Sequence, residues 1–271
     1  MARLEIILAL SVAVLFCGCG GAPSPTPRNS AQASSGPQTP PRLGNWQFTA
    51  ASTVPGRPPI TFAGSLGQAG AAVNGAFHVD GSDCFDRSTT IGLTTTVTGN
   101  STTLTSAVME GQVITFIGNF ADTTFNGTYK INGGCAAGEQ GSLSGVNISN
   151  IGKNLSGSFI NSAQKTFNMV GEITQSDSAN SDGSFPITGT GSFDTPCFSA
   201  GTIQPGTFSA GSFILGESVA LEVETSKSIL TFLGNLSQSG SGAVIGNYTV
   251  SGGGCDDSGT AVLQVAGQWD Y

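Results

Sequence analysis

Apolar and polar residues alternate with a period of two along most of this chain. In Val219-Ala220-Leu221-Glu222-Val223-Glu224 the valines and the leucine fall on one side and the glutamates on the other. That is the pattern of a strand with one face buried and one in water. In the second half it predicts strands near 156–161, 166–173, 184–192, 203–213, 217–224, 229–236, 243–251 and 260–269. Turn-forming stretches such as Ser176 to Gly183 and Ser251 to Gly254 separate them. Spacing this short leaves no room for the crossover helices of a parallel sheet, so the strands should run as antiparallel hairpins.

The pattern is written twice. Ile114-Thr115-Phe116-Ile117-Gly118-Asn119-Phe120 reappears as Leu230-Thr231-Phe232-Leu233-Gly234-Asn235-Leu236. A Gly-x-Tyr and a cysteine follow each copy: Gly127 to Tyr129 with Cys135, and Gly246 to Tyr248 with Cys255. Four further stretches match in the same order. Leu43 to Phe48 pairs with Leu155 to Ile160, Phe62 to Gln68 with Met169 to Gln175, Gly75 to Phe77 with Gly183 to Phe185, and Cys84-Phe85 with Cys197-Phe198. Such self-similarity indicates an internal duplication. The fold expected is all-β: two tandem repeats, 43–150 and 151–271, each an antiparallel meander of about eight strands. Eight strands without a bare edge point to a closed up-and-down barrel, with a β-sandwich as the alternative.

The duplicated stretch is the sixth strand of each repeat. With Ile114, Phe116 and Phe120 inward, Val113, Thr115, Ile117 and Asn119 point outward, and Ile229 and Leu233 do the same in the second copy. An apolar outer side predicts cover on both faces, the natural cover being the other repeat. Gly118 and Gly234 in the inward row leave space for another backbone or a strongly coiled strand to approach.

Composition agrees with strands. Forty glycines and only 10% charged residues suit helices poorly, since Gly costs about 1 kcal/mol relative to Ala in a helix, whereas Ser, Thr, Val, Ile and Phe favour sheets. The net charge is −8, and the Lys and Arg residues are spread singly, which argues against nucleic acid as a partner.

The N-terminus has a charged start and a short apolar run, Ile6 to Phe16, too short to span a bilayer. The run ends in Leu15-Phe16-Cys17-Gly18-Cys19-Gly20, which resembles the lipobox of bacterial lipoproteins. Cys19, preceded by the small Gly18, fits the acylated position better than Cys17, preceded by Phe16; an ordinary signal peptide is the alternative. The resemblance covers residues 1–20, departs from the usual motif at Phe16, and carries localisation rather than activity. It implies a signal peptide over 1–18, diacylation of Cys19, and a membrane partner reached through that lipid. Gly20, where Asp would retain the protein at the inner membrane, implies sorting to the outer membrane. Residues 19–42, with Pro23, Pro25, Pro27, Pro37, Pro40 and Pro41, should form a tether; extended at about 3.1 Å per residue it reaches roughly 60–70 Å.

Export permits disulfides. The duplication selects Cys84 with Cys135 and Cys197 with Cys255, because each repeat owns one cysteine after its third strand and one after its seventh. In a meander those two loops lie at one end. Each bridge closes a loop of roughly 50 residues, worth about 4 kcal/mol by the chain-entropy estimate.

Candidate chemistry is sparse. His78 is the only histidine, without a nucleophile or second ligand nearby in sequence, and is expected at a solvent-facing or loop-end position. Asp80, Asp83 and Asp86 surround Cys84, Asp256 and Asp257 follow Cys255, and Asp194 precedes Cys197, but none follows a calcium-loop spacing. They are expected as solvated turn carboxylates. Glu222 and Glu224 share the solvent side of one strand. The recurring aromatics Trp46, Phe62, Phe77, Phe116, Tyr129, Phe159, Phe185, Phe232 and Tyr248 are expected in the cores. These residues predict no catalytic site, no cofactor and no metal. The expected role is a non-catalytic binding or surface-structural module of the cell envelope, recognising a protein or glycan. A carrier holding a small apolar ligand in a barrel is the second expectation, and an envelope hydrolase the third.

Overall fold

The computed structural model describes residues 43–69, 72–98, 101–237 and 242–265. Among the described residues all seventeen regular elements are strands. The first eight are β1 (Gly44–Ser52), β2 (Ile60–Ala69), β3 (Ala72–Asp80), β4 (Thr90–Thr98), β5 (Ser101–Ser106), β6 (Val113–Ala121), β7 (Thr124–Asn132) and β8 (Gln140–Ile148). They pair antiparallel in sequence order, and β8 returns to β1 to close a barrel. The second half contains β9 (Asn154–Asn161), β10 (Thr166–Gln175), β11 (Phe185–Thr195), β12 (Phe198–Ile203), β13 (Phe213–Leu215), β14 (Ser218–Thr225), β15 (Ile229–Leu236), β16 (Ala243–Ser251) and β17 (Asp257–Val265). Eight of these close a second barrel through β17–β9 and β10–β11, and the short β13 bridges β11 and β14. The closed meander expected from the alternation is therefore present twice, and the sandwich is not formed. The signal peptide, Cys19 and the tether lie outside the described residues.

The duplicated stretch is the sixth strand of each ring, as expected. In β15 burial alternates at every residue, with Leu230, Phe232, Gly234 and Leu236 inward. β6 follows the same pattern with Ile114, Phe116, Gly118 and Phe120. Gly118 faces Gly127 across the β6–β7 ladder. A Cβ on Gly118 would lie 2.7 Å from both the Gly127 Cα and the Phe125 ring. Paired glycines therefore let two backbones close together and give the neighbouring ring its space.

Inward side chains fill both barrels. In the first, Phe48 lies 5.5 Å from the rings of Phe77, Phe116 and Phe125 and 5.6 Å from Trp46, and all five are inaccessible to solvent. In the second, Phe159, Phe167, Phe193, Phe198 and Tyr248 form an edge-to-face cluster at the cysteine end. Aliphatics such as Leu221, Leu230 and Val244 complete that core. Each buried Phe or Leu contributes about 1.5–3 kcal/mol. The bridges Cys84–Cys135 and Cys197–Cys255 are both present and lie within single barrels.

Two expectations are corrected. The segment 203–213 does not form a strand. The fourth strand of the second ring, β12, ends at Ile203, and the chain then leaves the ring through a turn closed by Thr207 and Ala210 before β13 takes its place between β11 and β14. This excursion, not the sixth strand, meets the other barrel. It covers the outer side of β1–β3, where the Asn45 side chain accepts from Gly216 N–H at 2.7 Å and donates to Gly216 C=O at 2.8 Å. Glu217 N–H donates to Gln47 Oε1 at 2.9 Å. Phe213, Leu215 and Ala220 pack with Ala63 and Phe208 as a third apolar cluster. Gly183, at φ +87°, lies so close to the Ala76 carbonyl that a Cβ would overlap it. Ile117 and Leu233, expected to be covered, remain 48% and 58% exposed.

Asn45→Ala leaves the buried Gly216 amide and carbonyl without partners. It should lower stability by about 1–3 kcal/mol, measured by chemical denaturation, with no change in the strand signal of the folded protein.

Candidate functional site

Two titratable clusters and one outer depression are the candidates for function. At the cysteine end of the first barrel, Tyr129 on β7 is the last aromatic of the inward row, and its hydroxyl must find a partner once buried. The partner is Glu139, which immediately precedes β8 and accepts from Tyr129 at 3.1 Å. Its other oxygen pairs with Arg57 from the β1–β2 loop. Glu139 is itself buried, so the guanidinium and the phenol together compensate its charge. The second barrel repeats the arrangement with different residues. Tyr248 on β16 donates to Asp257 at 3.0 Å, and Asn161 reaches the same oxygen where the first barrel uses an arginine.

Both phenols titrate above the ordinary tyrosine range. For Tyr129 the main cause is burial, reinforced by the Glu139 charge. For Tyr248 burial again leads, followed by the hydrogen bond to Asp257 and its charge. Each tyrosine is thus a neutral donor held on a carboxylate. Beside the first cluster a cavity of about 120 Å³ is bounded by Val54, Arg57, Cys135 and Glu139. The larger depression, about 520 Å³, lies on the outer side of β11, β12 and β14. Thr190, Ser192, Thr202, Gln204, Glu224 and Ser226 line it, so it offers hydroxyls, one amide and one carboxylate. Neither space is inside a barrel.

His78 is not at the surface. It is buried between the barrels, stacked on Phe208 with ring centres 4.0 Å apart. Its Nδ1 meets the Arg87 carbonyl at 3.1 Å. Asp182, from the second barrel, faces it. Burial raises the Asp182 pKa, but hydrogen bonds from Ser184 and the Phe208 amide, with the charge of His78, outweigh that and hold it below the usual range. Of the remaining acids, Asp83, Asp86 and Asp256 lie in loops, whereas Asp80, Asp194, Glu222 and Glu224 stand on strands. Asp80 pairs with exposed Arg87, Asp86 accepts from the Ser88 amide and hydroxyl, and Asp256 accepts from Gly252. Asp83 is exposed. Asp194 binds the Asn168 amide and side chain. Glu224 is exposed and accepts from Gln204, and Glu222 is half-buried beside it. Among the described residues no three His, Cys, Asp or Glu side chains group as metal ligands would.

The Tyr–carboxylate pairs escaped sequence reasoning, although the signal was there: each copy has a Gly-x-Tyr, a cysteine and then an acid within four residues. The tyrosines match between copies and read as core, which conceals the polar end of each ring. No family model matches the sequence, and no curated protein matches it. The crystal structure of kievitone hydratase from Nectria haematococca is similar at 7% identity and a TM-score of 0.26, over 83% of this chain and 89% of that one. A likeness of that strength assigns neither activity nor ligand.

Because the folded phenols titrate above the unfolded value of about 10, their contribution is complete below that pH and is lost as pH rises through the folded value. Stability should therefore fall in the alkaline range. The fall should be shallower in the Tyr129→Phe/Tyr248→Phe variant, as read from denaturant midpoints between pH 9 and 12.

Proposed function

We propose that this chain is an exported protein held in a bacterial cell envelope by lipid on Cys19, most readily at the outer membrane. Its two barrels serve as a binding or surface-structural module. The observation that carries this reading is the filling of both barrels by side chains from every strand. Eight-stranded rings leave an interior only wide enough for those side chains or one small ligand. With the interior occupied, recognition falls to the outer faces and loops. A carrier of an apolar molecule would need a chamber of roughly 300 Å³ or more, and the packing of Phe48 against Phe77, Phe116 and Phe125 counts against one in the first barrel.

Three further features support export and external binding. Each barrel carries one disulfide between two of its loops, a bond that persists in oxidising compartments. The depression on β11, β12 and β14 offers hydroxyl, amide and carboxylate groups, which suits a polar partner such as a glycan or protein segment. The Pro-rich composition between Cys19 and β1 suits the tether that an anchored binding module needs.

Cys19→Ala should release the protein in soluble form, with no lipid adduct on mass spectrometry of the mature N-terminus. Persistence of that variant in the membrane fraction would contradict the anchor.

A further inference from the structure

The duplication supplies an internal control for the outer face of β15, β16, β17 and β9, because those ladders share a register with β6, β7, β8 and β1. On the outer side of the second barrel, Leu233 (β15), Ile245 (β16), Val262 (β17) and Ile160 (β9) are 58%, 57%, 42% and 39% exposed. Ile245 and Val262 face each other directly. Leu233 is diagonal to Ile245, since it pairs with Asn247, and Ile160 is diagonal to Val262, since it pairs with Thr260. Diagonal neighbours of this kind lie within side-chain reach. The four residues therefore form one continuous aliphatic belt across four adjacent strands.

The first barrel does not have this belt. Following the same ladders from Ile117, the counterpart of Leu233, the positions of Ile245, Val262 and Ile160 are held by Asn126, Ser144 and Ala51. A closed ring of this type is thus complete with polar or small residues at those places. The barrel fold does not require the three branched side chains of the second copy. Exposed aliphatics gained on one copy alone mark a surface that meets something.

We propose that the belt is a self-association surface and that a second copy of this chain covers it. No outward residue of β9, β15, β16 or β17 is charged; between the aliphatics stand Ser, Thr, Asn and Gln side chains. In a chain of net charge −8, copies repel one another over most approaches. Two belts brought together about a two-fold axis place no carboxylate against a carboxylate. The same patch serves both partners, as an isologous contact demands. Asn247 and Thr260, in the row between the aliphatics, supply side-chain hydrogen-bonding groups to the contact. A lipid surface is a poorer match, because the face carries none of the Lys, Arg, Trp or Tyr residues that mark such contacts. The belt is separate from the contact between the barrels of one chain, which uses β13 and the loops beside it.

Sedimentation velocity on the full chain, solubilised in mild detergent, tests this. The wild type should sediment as a dimer. Ile160→Ala/Ile245→Asn/Val262→Ser, which installs the residues the first barrel already uses, should be monomeric at the same concentration. Its midpoint for association should rise at least tenfold. Asn247→Glu, which leaves the aliphatics in place but opposes like charges across the axis, should dissociate the dimer equally and provides a second variant. A wild type that remains monomeric at about 100 µM, an affinity weaker than about −5.5 kcal/mol, would overturn the proposal. So would a dimer that both variants leave intact, or a belt engaged by a different protein while the wild type stays monomeric.

Discussion

Closing eight strands into a ring fixes an interior volume that the chain must then fill, and most features of this protein answer to that constraint. The rings of Trp46, Phe48, Phe77, Phe116 and Phe125 occupy the first barrel. Gly118 and Gly127 sit beside Phe125 because the same layer has no room for two more side chains. The last inward aromatic is a tyrosine in each copy, with only Ile131 or Val250 beyond it before the polar loops. A buried phenol there needs an acceptor, and Glu139 or Asp257 provides it. The two bridges hold the loops at that same end.

Duplication then allowed the two copies to diverge where filling does not constrain them. The interiors keep matched aromatics, while the outer positions differ. One barrel turns the outward residues Asn45, Gln47 and His78 into contacts for its sister. The other lengthens the connection after β12 into the excursion that receives them. The ion pair Arg57–Glu139 and its counterpart Asn161–Asp257 show that even the polar end tolerates two solutions, provided the tyrosine is satisfied.

Much of this was legible in the sequence. Period two gave the strands, the repeated sixth strand with its Gly-x-Tyr gave two rings, and the cysteine positions gave the bridges. The matches read for the first and third strands are out of register, since the ladders set Ile160 against Ala51 rather than Phe48, and Gly191 rather than Phe185 against Phe77. What period two cannot say is what lies beyond the outward face. His78 falls on the outward side of β3, which by itself suggests solvent, yet the neighbouring barrel covers it. Ile117 and Leu233 fall on the outward side of the sixth strands, which suggested cover, yet they are exposed. The segment 203–213 alternates well enough to resemble a strand because Phe213 is buried and Phe208 half-buried, but they pack against the other barrel and not in their own ring. Alternation records which residues share a face; only the packing of neighbouring elements decides whether that face is covered.

The central claim is that both barrels are solid, their interiors filled by their own side chains. Apolar cavities of ligand size take up xenon, so the most direct measurement is diffraction from crystals of the full chain equilibrated with pressurised xenon. The account predicts no xenon atom within either ring of strands. A xenon atom between Phe48 and Phe116 in the first barrel, or between Phe159 and Phe232 in the second, would contradict it.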